Sequence, residues 1–330
     1  MVRVTVVVPA LNEARYISRC LDHLLAQDYP SHLVDIIVVD GGSTDGTQDL
    51  VRAYAARCPR VRLLHNPARR VGAAMNIGVA HALGDIIVRV DAHAFVAPDY
   101  VRQCVHYLMS TDADAVGGVL RPVGDTPTGR VIAAVMSHPL GGGPARFRHA
   151  RRPMWVDTVY LGAWRRETLL EMGGFDETLE ANEDYEFFYR LRQAGGRILC
   201  HPAIRSSTAA RSTLKALWHQ YVRYGRGKAR MLRLHPRSLR ARQIPAPALV
   251  AGVFILGSAG IVCLAARVAL VFILGLYAVI IGSAAADVAR RLGWTRWAHI
   301  WITFWVMHWG WGVGFWSGLF SPGKRRRMSM

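Results

Sequence analysis

Three near-continuous apolar runs, Val4–Val8, Ile36–Val39 and Ile86–Val90, constrain this chain more than any other feature. Successive side chains of a strand point to opposite faces, so a strand that is apolar at odd and even positions must be covered on both sides. Val61–Leu64 and Ala115–Leu120 extend the series. Between the runs lie Ala14–Ala26, Thr47–Arg57, Ala73–Leu83 and Pro98–Met109, each long enough for a helix that crosses back over a sheet. The alternation predicts an α/β fold built on a βαβ sheet from residue 1 to about 200. In open sheets of this kind ligands bind beyond the carboxyl ends of the strands. Pro9, Asp40, Asn66 and Asp91 all fall there, so one shared site is expected.

The run beginning at Asp85 stops at Asp91-Ala92-His93. Residues i and i+2 of an extended chain face the same way, which lets Asp91 and His93 converge on one divalent cation. Carboxylate oxygen with imidazole nitrogen suits Mn²⁺ or Mg²⁺, the nitrogen favouring Mn²⁺. The plainer alternative is an exposed strand end. Glu183-Asp184 precedes Tyr185–Leu191, an amphipathic helix, and offers a base; acidic residues in a first turn also serve simply as partners of the helix dipole. The turn Asp40 to Thr47, DGGSTDGT, follows a buried strand and opens a helix. Its glycines permit close backbone approach and the helix N-terminus offers free N–H groups to part of a nucleotide. A turn that merely caps itself fits the same residues.

The net charge of +18 is unevenly placed: residues 1–186 hold 19 Lys/Arg against 22 Asp/Glu, a net of −3, and residues 187–330 hold 22 against 1, a net of +21. A nucleic-acid enzyme carries its basic residues around its active site, so no nucleic-acid partner is expected; anionic lipid headgroups are. Hydrophobic content of 52% with mean hydropathy +0.16 places part of the chain in lipid. Residues 206–244 form a basic segment in which Leu214, Leu217, Trp218, Tyr221 and Tyr224 recur at helical spacing. It suits a helix lying in the membrane interface, or one packed on the sheet domain. In residues 245–330, the stretches 246–266 and 268–286 approach the roughly 20 residues a bilayer span needs and are separated by Arg267, which predicts a tight hairpin of two spans. Trp297–Phe320 carries His299, His308, glycines and tryptophans and is expected to be a third span or a re-entrant segment; the latter keeps Lys324–Arg327 on the cytoplasmic side. The loop Gly141–His149 is expected to be mobile enough to close over a substrate, with a plain surface loop as the alternative. Cys20, Cys58, Cys104, Cys200 and Cys263 form no metal-ligand or disulfide spacing, and a reducing compartment is expected. With no leader-like segment before Val4–Val8, the first domain is expected to stay cytoplasmic.

Taken in order, Val8-Pro9-Ala10-Leu11-Asn12-Glu13, the Asp40–Thr47 turn, Asn76-Ile77-Gly78 before Gly84-Asp85, Asp91-Ala92-His93 and Asn182-Glu183-Asp184 resemble the motifs of the family 2 glycosyltransferases with a GT-A fold. Gln220–Lys228 is similar to the family's QxxRW motif, with Tyr224 in place of tryptophan, and the apolar tail resembles membrane members of the succinoglycan ExoA type. The resemblance implies a GT-A nucleotide-sugar-binding domain over residues 1–205, an interfacial amphipathic helix within 206–244 and C-terminal transmembrane helices within 245–330. It implies that Pro9, Asn12, Glu13, Asp40, Gly42 and Asn76 meet the donor nucleotide, with Asp91 and His93 on the metal. Asp184 would be the base, Gln220 and Arg223 would meet the diphosphate, and Asp157, Tyr160, Gly162 and Glu183 would line the sugar and acceptor region. The implied reaction transfers one sugar, with inversion, from a nucleotide-diphosphate sugar, by default a UDP-sugar, to a polyprenyl-linked saccharide at the cytoplasmic membrane. A processive polysaccharide synthase and a non-catalytic nucleotide-binding partner of a synthase complex are the alternatives. Gly41, where many relatives carry a second aspartate, leaves that turn to Asp40 alone.

Overall fold

A computed structural model describes residues 1–143, 148 and 150–321; Lys324–Arg327 and most of the expected mobile loop, 144–147 and 149, lie outside the described residues. In chain order the elements are β1 (Val4–Ala10), α1 (Ile17–Leu25), β2 (Val34–Asp40), α2 (Thr47–Arg57), β3 (Val61–His65), α3 (Val71–Ala80), β4 (Ile86–Arg89), β5 (Ala94–Val96), α4 (Tyr100–Ser110) and β6 (Ala115–Val123). There follow α5 (Pro127–Ser137), α6 (Pro139–Gly142), β7 (Met154–Trp155), β8 (Tyr160–Arg165), α7 (Arg166–Glu171), α8 (Glu183–Gln193), β9 (Ile198–Ala209), α9 (Leu214–Leu234), α10 (Pro245–Ala259), α11 (Leu264–Leu292) and α12 (Trp297–Phe320). Two compact units result: Met1–Val123 with Ala145–Ala209, and Gly124–Pro144 with Ala210–Met330. The sequence boundary at 205 thus lies close to the end of the first unit, whereas the excursion 124–144, which carries α5 and α6, belongs with the C-terminal part.

The first unit is built on a nine-stranded sheet ordered β3-β2-β1-β4-β8-β6-β9-β5, with β7 paired to β9. Strands β3, β2, β1 and β4 are parallel, as the doubly apolar runs require. The sheet as a whole is mixed, because β8 lies antiparallel between β4 and β6. Side-chain alternation divides the runs between two cores: Val4, Val6, Val8, Ile36, Val38 and Val88 pack on one face, Val7, Ile37, Val39 and Ile87 on the other. The second face centres on Trp164, fully buried among Phe175, Phe187 and Phe188. Gly78 is needed there because a Cβ would stand 2.4 Å from a Val7 methyl, closer than α3 and β1 tolerate.

In the second unit the basic helix α9 lies along α12. Its small and aromatic face is taken by α12: Gly225 sits where a Cβ would meet the Trp311 carbonyl at 2.1 Å, and Gly314 where one would meet the Val222 carbonyl at 2.2 Å. Gly310, Gly314 and Gly318 repeat every four residues and bring the two backbones close, while Gly312 faces Ala246 and Val250 of α10. The helix boundaries differ from the sequence reading in two respects. The break between the apolar stretches is at Gly260–Cys263, and Arg267 lies inside α11, its guanidinium donating to the Gly260 and Ile261 carbonyls at the end of α10. Among the described residues one helix, Leu264–Leu292, is long and apolar enough to cross a membrane; α10, at 15 residues, is shorter than the expected span.

Candidate active site

Strand order 3-2-1-4 means that the chain leaves β1 in one direction and returns beside it in the other, so the crevice of the parallel segment opens beyond the carboxyl ends of β1 and β4. Pro9, within β1, and Asn12 and Glu13 just past it come to one side of that crevice, Asp91 and His93 to the other. Strand β8 runs antiparallel to β4 with Val88 opposite Ala163, so its first residues, Tyr160 to Gly162, come alongside the same end of β4.

The turn after β2 is laced to the end of β1. Asp40 is almost fully buried; its Oδ1 accepts from the Gly42 and Ser43 N–H groups (2.9 and 2.8 Å) and its Oδ2 from the Ser43 hydroxyl (2.5 Å). The Asn12 Oδ1 accepts from the Thr44 N–H (2.9 Å), while the Asn12 and Glu13 N–H groups donate to the Ser43 and Thr47 hydroxyls (both 2.8 Å). Gly42 and Gly46 adopt φ of 79° and 92°, which only glycine takes cheaply. Asp40 thus shapes the turn from within, while Asn12 and Glu13 fasten it to the end of β1.

Two charged chains meet at the end of β4. His93 Nδ1 lies 2.9 Å from Glu13 Oε1; a carboxylate only accepts, so Nδ1 donates and Nε2 is the ring nitrogen that this bond leaves over. Arg89, enclosed in β4, donates through Nε to Asp91 Oδ1 (2.9 Å) and through Nη1 to Glu183 Oε1 (3.0 Å). A guanidinium therefore joins the two acidic motifs that the sequence places ninety residues apart. Burial alone would raise the Asp91 carboxyl; Arg89 and His93 outweigh it and hold it below the usual range. Asp184 goes the other way, pushed up to about 6 by burial and by the adjacent Glu183, with Arg89 pulling against this and Asp91 adding to it. The carboxyl at 184 thus feels the charges at 89 and 91. Among the described residues no group of three or more His, Cys, Asp or Glu side chains is placed to hold a metal, so Asp91 and His93 stand as a pair.

The segment that delivers Asp184 is strapped down. Asn76 Nδ2 donates to the Phe175 carbonyl (2.9 Å) and to Glu177 Oε1 (2.8 Å), and its Oδ1 accepts from the Phe175 N–H (2.8 Å). Asn76, expected on the donor, has its amide committed to this loop. Arg190 bonds Glu186 (2.7 Å) and the Met172 and Gly174 carbonyls, tying α8 to the same loop. Asn182, at φ 66°, turns the chain into α8. Asp157 is partly buried and its carbonyl accepts from Arg192 Nε (3.2 Å). Leu161 and Gly162 both have positive φ, 63° and 110°, and a Cβ at Gly162 would strike the Trp164 ring at 2.5 Å, so Gly162 is needed for packing. Gln220 and Arg223 lie on α9 of the second unit, where the Gln220 amide donates to the Tyr224 hydroxyl (2.8 Å) and Arg223 is exposed. Arg89 is the residue that sequence reasoning missed; a charge inside a buried run, two positions before Asp91 and on its face, was the available signal.

The family model for glycosyl transferase family 2 matches residues 5–170. The succinoglycan biosynthesis protein ExoA of Rhizobium meliloti is 31% identical over 97% of this chain and 96% of its own length. A dolichyl N-acetyl-alpha-D-glucosaminyl phosphate 3-beta-D-2,3-diacetamido-2,3-dideoxy-beta-D-glucuronosyltransferase of Methanococcus voltae is 27% identical over 70% of this chain and 74% of its own. Among solved structures, the mannosyltransferase PcManGT of Pyrobaculum calidifontis, in complex with GDP-Man and Mn²⁺, superposes with a TM-score of 0.62 at 23% identity, covering 93% of this chain and 86% of that one. The fold, the ordered motifs and these matches together define a sugar transferase on a GT-A-like α/β sheet. The chain belongs to glycosyl transferase family 2.

Proposed function

We propose that this enzyme transfers one sugar, with inversion, from a nucleotide-diphosphate sugar to a lipid-linked saccharide during polysaccharide synthesis, with its first unit on the cytoplasmic side of the cell membrane. The observation that carries the reading is the Asp184 carboxyl, raised to about 6 beside a buried guanidinium and two further carboxylates. A base poised near neutrality takes a proton most effectively. As the acceptor oxygen attacks the anomeric carbon, its proton passes to Asp184; the bond from that carbon to the diphosphate oxygen breaks, and one displacement inverts the centre.

A divalent cation fits the chemistry at the end of β4. Asp91 Oδ1 is held by Arg89 and His93 Nδ1 by Glu13, so Asp91 Oδ2 and His93 Nε2 are the atoms that would hold Mn²⁺ or Mg²⁺, in the carboxylate–histidine arrangement common to metal sites. Such an ion supplies charge neutralisation on the departing diphosphate. Glu13 acts here on His93 through a side-chain bond, a different task from contacting the nucleotide. The self-bonded turn 40–47 gives the donor a backbone surface, with Pro9 and Asn12 beside it. Tyr160 and Asp157 line the acceptor side. The Methanococcus voltae relative's name, with a dolichyl phosphate acceptor, and the presence of Mn²⁺ and a nucleotide sugar in PcManGT support the partners assigned.

The test is Asp184→Asn. Nucleotide-sugar binding with Mn²⁺ should stay within about twofold, while diphosphate release with a polyprenyl-linked acceptor falls by about 10²–10⁴. Retained turnover removes Asp184 as the base. Screening UDP- and GDP-sugars in the same assay identifies the donor.

A further inference from the structure

The second unit contains a cavity of about 400 Å³ lined by Pro127, Arg130, Val131, Arg291, Leu292 and Arg296. Three arginines line it from separate pieces of chain: Arg130 from the first turn of α5, Arg291 from the last turn of α11, and Arg296 from the short turn that precedes α12. Arg291 stands 3.8 Å from Asp287, a loose and exposed pairing, and Arg296 donates to the Leu292 carbonyl. Asp287 is the one acidic residue in 187–330, and Asp125 lies two positions before Pro127. The second unit thus has two carboxylates in its sequence, Asp125 and Asp287, against many more arginines. Planar guanidinium forks around a concave space are suited to phosphate oxygens, and like charges lining one space favour a shared anion.

The position narrows the source of that anion. Arg291 and Arg296 flank the end of α11, whose earlier turns expose Val268, Val271, Phe272, Leu276 and Val279. Trp294 and Trp297, 61% and 38% exposed, stand beside it, and exposed tryptophans at the end of an apolar helix belong at headgroup level. If α11 enters lipid, the cavity lies where phosphates are.

We propose that this cavity binds the phosphate of a lipid, either a bilayer phospholipid or the isoprenoid diphosphate that carries an acceptor sugar. The inference rests on the membrane reading above and is independent of the chemistry at Asp184. The full-length protein in detergent is titrated with phosphatidylglycerol, farnesyl diphosphate and inorganic pyrophosphate, with phosphatidylcholine as a zwitterionic control, and bound ligand is counted by native mass spectrometry. The Arg130→Gln/Arg291→Gln double variant should bind at least one of the two anionic lipids about tenfold more weakly than the wild type, with phosphatidylcholine unaffected. Loss confined to phosphatidylglycerol assigns the bilayer as the source, and loss confined to farnesyl diphosphate, or shared by both, admits the acceptor. Unchanged affinity for both lipids, or an effect on pyrophosphate alone, overturns the proposal. Binding of the nucleotide-sugar donor in the same samples reports separately on the glycosyltransferase site, so the two readings fail independently.

Discussion

Among the described residues each unit buries one basic side chain, and the two are held in opposite ways. In the first unit Arg89, 7% exposed, is clasped by Asp91 and Glu183. In the second, Lys228, 1% exposed, gives its ammonium to the carbonyl and hydroxyl of Ser238 at 2.8 and 3.1 Å, next to the Met231 sulfur. A cation between carboxylates leaves stranded anions when it is removed, whereas the Ser238 oxygens that hold Lys228 are neutral and are left as unfilled acceptors. Breaking this contrast has the largest expected effect. Arg89→Leu should cost about 3–5 kcal/mol, because Asp91 and Glu183 stay enclosed without a counter-charge. Lys228→Met should cost about 1–3 kcal/mol. Denaturant melts of both variants in one detergent check the ranking. Adding Glu183→Gln to Arg89→Leu should recover part of the loss, and a double variant no more stable than Arg89→Leu alone breaks the argument.

The Asp184 carboxyl sharpens the same comparison through pH. Its folded pKa, about 6, stands above the ordinary 3.8, so the folded chain holds the proton more tightly. Stability from this group is complete below the unfolded pKa and declines as pH rises through the folded one. Asp184→Asn removes the decline: it should stabilise the chain by about 1–3 kcal/mol near neutral pH and by nothing near about pH 4. Catalysis has the opposite sign, since the base must be ionised, and the rate of the wild type should fall as pH drops through about 6. Arg89 pulls the Asp184 pKa down, so in any surviving activity of Arg89→Leu this limb should move to higher pH. A melting difference that persists at the acid end refutes the assignment.

What could be read in the sequence follows from how local each signal is. The strands β1, β2 and β4 announce themselves because both of their faces are apolar, and the residues after them land at the switch point by topology alone. Strand β9 does not. Its pairing with β6 runs from Cys200 opposite Gly117 to Arg205 opposite Val119, so a bulge containing Pro202 interrupts the run, and Gly118 is required where a Cβ would stand 1.7 Å from the Ile204 carbonyl. Asp91, His93 and Asp184 are legible as residue types that do chemistry; Arg89 is not, because its meaning depends on Glu183, which only the folded chain brings near. Likewise the stripe on Trp297–Phe320 reads as an imperfect span until α9 is seen against it.

That helix pair gives the smallest contrast, in which the sign changes. Gly314 on α12 has the Val222 carbonyl where its Cβ would go, at 2.2 Å, whereas Gly257 on α10 has nothing within 4 Å. Both are glycines inside helices, where alanine by propensity alone is better by about 1 kcal/mol. At Gly257 that preference is unopposed, so Gly257→Ala should be neutral or raise the melting temperature slightly. At Gly314 the added methyl forces the α9 and α12 backbones apart, and the loss of contact along the stripe outweighs propensity, so Gly314→Ala should lower it. Equal shifts for the two variants in detergent would mean that close approach of α9 and α12 contributes nothing to holding the second unit together.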